Sequence, residues 1–72
     1  MAHTDRERFG MRIRQLRVAS QITQEQLAAR AELHSTYVGS VERGKRNIGF
    51  DNLLKLARAL KEHPSALFVD FP

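Results

Sequence analysis

Apolar residues recur along this chain at helical spacing, and nowhere do they alternate with polar ones over a strand's length. Phe9, Ile13 and Leu16 stand at i, i+4 and i+7, one side of a helix that opens at Thr4 and runs to about Ser20. Thr4 with Glu7 three residues on is a capping-box pair, in which each partner satisfies an amide that the first helical turn leaves unpaired. Thr23 with Gln26 repeats the device and starts a second helix, whose Leu27, Ala28 and Ala31 share one side. Ile22, in the link between the two, is expected to fold back into the core. After a break at Glu32-Leu33-His34, a third short helix spans about Ser35 to Arg43. It buries Val38 and Val41, three apart, and sets Thr36, Ser40 and Arg43 on the opposite face at i, i+4 and i+7. Gly44 stops it. A fourth helix follows from about Phe50 to Leu60, with Leu53, Leu56, Ala57 and Leu60 on one stripe, Asp51 near its positive end and Lys61 near its negative end. Pro64 suits the first position of a short fifth helix through about Phe68.

These elements predict an all-α fold, a compact bundle of five short helices forming one domain over residues 1–72. Its centre is expected at Ile13, Leu16, Leu27, Ala28, Val38, Val41, Leu53, Ala57 and Leu60. Helices two and three, with small residues at their crossing and a polar outer face, have what a reader of the DNA major groove needs. The recognition helix is placed at about 35–43. A domain this small buries only about 60% of the surface its unfolded chain exposes, so self-association is a natural source of extra stability.

Charge supports a polyanionic partner. Lys and Arg number 12 against 8 Asp and Glu, a net +4 over 72 residues. Arg6, Arg8, Arg12, Arg14 and Arg17 crowd the first helix, and Arg43, Lys45 and Arg46 cluster after the third. Such groups neutralise phosphates when they share a surface; otherwise they are a solvated face. The chain has no cysteine, which excludes disulfides, thiolate metal sites and thiol catalysis. No leader-like run and no stretch of about 20 apolar residues is present, so a soluble, cytoplasmic protein is expected. His3, His34 and His63 are scattered without a second ligand at helical spacing, and no metal site or cofactor is expected. Ser35 beside His34 makes no hydrolase, because neighbouring side chains diverge on a helix; no catalytic residue is assigned.

The set Gly10, Ile13, Leu16-Arg17, Thr23-Gln24, Leu27-Ala28, Tyr37-Val38, Glu42-Arg43-Gly44 and Leu53-Leu54-Lys55-Leu56-Ala57 resembles the lambda-repressor-like (XRE-type) helix–turn–helix family of phage repressors and their bacterial relatives. Within it, Leu33-His34-Ser35-Thr36-Tyr37 followed by Glu42-Arg43-Gly44-Lys45-Arg46-Asn47 is most similar to the controller proteins of restriction–modification systems. The resemblance implies a sequence-specific transcriptional regulator, a homodimer on a palindromic operator in double-stranded DNA, with RNA polymerase a candidate further partner. The family also contains antitoxin-type interaction modules and phage-type repressors, which the motif does not separate from controllers.

The resemblance also assigns roles. Gln24 would contact a phosphate and buttress the recognition helix. Ser35, Thr36 and Ser40 occupy base-reading positions, and the low surface at Gly39 would let the backbone approach the groove. Tyr37 would touch backbone or base through its hydroxyl, or else simply pack its ring. Arg43, Arg46 and Asn47 sit where relatives grip phosphates, with Lys45 a looser addition. Arg17 and Glu42 are a structural ion pair between helices one and three. Three departures stand out. Glu32 occupies a turn position often held by glycine, and His34 an N-cap position often held by Ser or Asp, each at a cost of about 1 kcal/mol. Ser35 stands where some controllers carry arginine, so a long guanine-reading side chain is missing. Finally, Leu67, Phe68, Val69 and Phe71 form an apolar tail, and Phe50 and Leu54 a second stripe on helix four. Leu67 is expected to close the core. Leu54, Phe68, Val69 and Phe71 are assigned to a dimer interface within a dimerisation region at about 50–71, against the alternative that the tail caps its own monomer.

Overall fold

The computed structural model describes residues 2–69 and residue 71; Met1, Asp70 and Pro72 lie outside the described residues. Four α-helices follow one another: α1 (Asp5–Ala19), α2 (Gln24–Ala31), α3 (Ser35–Glu42) and α4 (Phe50–Ala59). The fold is all-helical among the described residues, and its helix ends obey local chemistry closely. Thr4 Oγ1 accepts the Glu7 amide at 3.1 Å while Glu7 Oε1 accepts the Thr4 amide at 2.9 Å. Thr23 and Gln26 close the same box with the same two distances. α3 has no side-chain cap at His34, in line with the cost expected there.

The C-termini share one motif that the sequence signalled only in part. Each helix ends in a residue with positive φ: Gln21 at 60°, Glu32 at 57°, Gly44 at 74° and Lys61 at 57°. The amide after each turns back to the carbonyl five residues earlier: Ile22 to Arg17, Leu33 to Ala28, Lys45 to Ser40 and Glu62 to Ala57. This is the Schellman arrangement, which satisfies carbonyls left open at a helix end. Only one of the four uses glycine. Glu32 was expected to be left-handed; Gln21 and Lys61 had no comparable signal.

The fifth helix does not form as an α-helix. Residues Pro64–Leu67 make a single 3₁₀ turn, closed by bonds from the Ala66 amide to the His63 carbonyl and from the Phe68 amide to the Ser65 carbonyl. His63 Nδ1 accepts the Ser65 amide at 3.1 Å, so its ring takes the capping role. Four residues behind a proline offer too few i→i+4 bonds to propagate a helix.

Leu67 nevertheless closes the core. It is fully buried with Ile13, Leu27, Val38, Val41 and Leu56, and Phe9, Leu16, Ile22, Ala28, Ala31, Ala57, Ala59 and Leu60 surround them. Leu53, expected at the centre, only packs against the edge of this cluster. Gly10 sets the distance between α1 and α3. A β-carbon there would lie 2.3 Å from the Val41 carbonyl oxygen and 2.5 Å from that of Glu42, so the two backbones are in contact.

Candidate nucleic-acid interface

α3 crosses α1 at its C-terminal end and packs on α2, and this geometry decides which of its residues face outward. Val38, Gly39, Ser40, Val41 and Glu42 are all buried. Five successive residues at about 100° each pass right round a helix, so the second half of α3 is enclosed on every side. Only its first turn opens to solvent: Thr36 is exposed, Ser35 and Tyr37 half so.

Electrostatics clamps that enclosed half in place. Arg17 of α1 donates from Nε to Glu42 Oε2 at 2.6 Å and from Nη2 to Oε1 at 3.1 Å, the two-pronged geometry of a guanidinium on a carboxylate. Its third nitrogen reaches the Ile22 carbonyl at 2.9 Å. The side chains retain 13% and 4% of their exposure, and the Glu42 hydrogen bond holds the Arg17 pKa above its ordinary value. Gln24, at the start of α2, donates to Glu42 Oε1 at 3.0 Å. The expected ion pair thus exists, and the glutamine joins it in fixing α3 against both neighbours.

Two expectations for the outer face need correction. Ser40 does not face outward: it is 7% exposed, its hydroxyl donating to the Tyr37 carbonyl at 2.7 Å and accepting from Arg46 Nε at 3.2 Å. A spacing of i, i+4 puts Ser40 beside Thr36 on the helix, but the returning chain at Arg46 covers it. Gly39 is no open floor either. A β-carbon there would meet Arg43 Nη1 at 3.2 Å and Gln24 Oε1 at 3.3 Å, so side chains from both ends of the motif close over it.

Tyr37 is held between elements. Its ring packs on the core, the Arg46 guanidinium carbon sits 5.6 Å from the ring centroid, and Asn52 Nδ2 of α4 donates to its hydroxyl at 3.1 Å. Asn52 was not singled out from the sequence, since a polar residue in the first turn of a helix carries no special signal. Arg43 and Asn47 are exposed beside α3. Asp5 and Arg6 of α1 line a groove of about 230 Å³ together with Arg46 and Asn47, so two arginines and one carboxylate meet there.

The other α1 arginines do not join that groove: Arg8, Arg12 and Arg14 line a separate depression along α1. Arg17 is enclosed, Arg12 ties the tail by donating to the Ala66 carbonyl at 2.8 Å, and Arg8 lies 3.5 Å from Asp5. No group of His, Cys, Asp and Glu able to hold a metal is present among the described residues. No helix among them is long and apolar enough to cross a membrane.

Residues 13–67 match the family model described as Helix-turn-helix. This chain belongs to the helix–turn–helix family. It is 42% identical over 72 residues to the control protein C.BamHI of Bacillus amyloliquefaciens, covering 99% of this chain and 88% of that one. It is 41% identical over 64 residues to the control protein C.MunI of a Mycoplasma species, covering 88% and 86%. The crystal structure of the restriction–modification controller protein C.AhdI from Aeromonas hydrophila matches with a TM-score of 0.90 at 48% identity, over 92% of this chain and all of that one. The likeness to restriction–modification controllers, anticipated from the α3 segment, is thereby established.

In this helix–turn–helix chain the second surface of interest is apolar. Phe50 is 74% exposed, Phe68 49% and Val69 36%, and Leu54 is half-buried. Phe71 is turned back on its own monomer. It packs against the core edge and against Phe68, whose ring centroid lies 6.1 Å away and 5.8 Å from that of Phe9. The tail therefore covers its own monomer through Leu67 and Phe71, while Phe68 and Val69 leave apolar surface in solvent.

Proposed function

We propose that this chain is a sequence-specific DNA-binding transcriptional regulator, a controller of a restriction–modification system that acts as a homodimer on a palindromic operator. The observation that carries the proposal is the enclosure of α3 everywhere except its first turn. A recognition helix meets base edges with its N-terminal residues, and here those are Ser35, Thr36 and Tyr37. The two hydroxyls donate to or accept from any base edge, and the Thr36 methyl suits a thymine methyl. With no long guanine reader at position 35, DNA shape and deformability supply part of the specificity. Arg43, Arg46 and Asn47, with Arg6 beside them, take phosphates and set the register. Gln24 keeps one amide hydrogen for a phosphate after bonding Glu42, and Ser40 serves by holding Arg46.

Dimerisation through Leu54, Phe68 and Val69, with Phe71 supporting Phe68, would place two α3 helices in successive major grooves about 34 Å apart. Occupancy then either excludes RNA polymerase or touches it, according to where the operator lies. The chain carries out no chemistry and takes no cofactor in this account, and it works in the cytoplasm where its DNA is.

Selection of duplexes from a random library tests this. The recovered sequences should contain two inverted half-sites about one helical turn apart. Thr36→Ala should weaken binding to that duplex several-fold while leaving the weak binding to scrambled DNA unchanged. Equal losses on both would remove α3 from base recognition.

A further inference from the structure

The hydroxyl of Tyr37 has one hydrogen-bond partner among the described residues, the amide nitrogen of Asn52 in the first turn of α4. The direction of that bond matters. An amide nitrogen only donates, so the phenolic oxygen accepts, and its own hydrogen must point away from Asn52. The rest of the residue is fixed from other sides. The Tyr37 carbonyl accepts the Ser40 hydroxyl at 2.7 Å, and the Arg46 guanidinium, anchored by Ser40 at 3.2 Å, covers the ring at 5.6 Å.

We infer that Asn52 is a positioning residue for DNA recognition: by donating to the Tyr37 hydroxyl it turns that group into a donor aimed at an acceptor on the bound DNA. The inference rests on the proposed DNA-reading role of α3 and extends it to a residue outside the helix–turn–helix. An unanchored phenol samples two roughly equivalent in-plane orientations and can donate or accept. One that already accepts from Asn52 is committed to donating to phosphate oxygens, or to the acceptors at guanine O6 and N7, adenine N7 and thymine O4. The committed orientation also spares part of the ordering cost on binding. Asn52 thereby couples α4 to the base-reading turn of α3 without touching DNA itself.

The test is a double-mutant cycle on the duplex recovered by selection with the wild-type protein. Asn52→Ala should weaken binding about five-fold, the value of one modest hydrogen bond. In a Tyr37→Phe background the same change should cost less than two-fold, because nothing remains for Asn52 to orient. Asn52→Asp is the sharper arm. Its carboxylate only accepts, so it would draw the phenolic hydrogen inward; its loss of affinity should exceed that of Asn52→Asp in the Tyr37→Phe background, where charge alone acts. Melting temperatures of all variants separate this from loss of fold. Equal effects of the Asn52 changes in both backgrounds would overturn the inference while leaving α3 as the reader. A wild-type protein with no preference for any duplex would overturn both.

Discussion

Gly10→Ala tests the packing that aims α3. The added β-carbon would sit 2.3 Å from the Val41 carbonyl oxygen, 2.5 Å from that of Glu42 and 2.8 Å from the Glu42 carbonyl carbon. All three are backbone atoms of one helix, so no side chain can swing aside, and α1 and α3 must separate by about 1 Å to restore ordinary contact. A gap of that size forfeits roughly half the dispersion attraction across the interface. Overpacking of this kind costs about 3 kcal/mol, against about 1 kcal/mol gained from alanine's better helix propensity. The net loss of about 2 kcal/mol lowers the melting temperature by roughly 8–16 °C in a domain of this size. Thermal unfolding followed by circular dichroism measures it. Gly49→Ser serves as the control, because nothing lies within 4 Å of a β-carbon at that N-cap and serine caps better than glycine. A Gly10→Ala protein that melts at or above the wild-type temperature would show that the α1–α3 crossing is not the tight constraint described.

Three further outcomes follow from other parts of the structure. Glu42→Ala strands the Arg17 guanidinium in a largely buried site and should cost about 3–5 kcal/mol in denaturant unfolding, whereas Arg17→Met with Glu42→Leu should cost much less than the sum of the single changes. Glu32→Gly relieves a left-handed non-glycine residue and should stabilise the fold by about 1 kcal/mol; a destabilised variant would mean that the Glu32 side chain contributes something beyond its backbone angle. Glu7 should titrate below the ordinary glutamate range, because the Thr4 backbone amide and then its hydroxyl bond the capping pair. Its contribution to the start of α1 is present above the unfolded pKa and fades as pH falls through the folded one. An NMR titration reads that midpoint, and Thr4→Pro, which fits the φ of −70° but removes both bonds, should move it back up.

The helices were legible because their signals are local. Thr4/Glu7 and Thr23/Gln26 state two starts outright, and Phe9-Ile13-Leu16 states a face. Pro64 marked a start too, but whether a helix propagates beyond it depends on the residues that follow, and only a 3₁₀ turn results. The ends of α1 and α4 were placed correctly at about Ser20 and Leu60, but the way they close was not signalled, since Gln21 and Lys61 adopt left-handed conformations that most sequences give to glycine or asparagine. The site divides in the same way. The Arg17–Glu42 pair came from the family pattern, and the structure places it as anticipated. Ser40 was misplaced because helical spacing fixes its angle about the α3 axis and says nothing of Arg46 folding back over it. Asn52 was invisible for a related reason. Its meaning lies in the proximity of α4 to Tyr37, a tertiary fact that no spacing within either helix carries. The apolar tail gave two readings, and the fold divides them between Leu67 and Phe71 inside and Phe68 and Val69 outside.

Methylation interference on the selected duplex bears most directly on the claim that the first turn of α3 lies in the major groove. Dimethyl sulfate marks guanine N7 in the major groove and adenine N3 in the minor groove, so one experiment reports on both. Interference from guanine N7 in two patches about one helical turn apart is the predicted pattern, with the Thr36→Ala protein showing a several-fold smaller preference for that duplex. Interference confined to adenine N3 would place the protein in the minor groove and contradict the account.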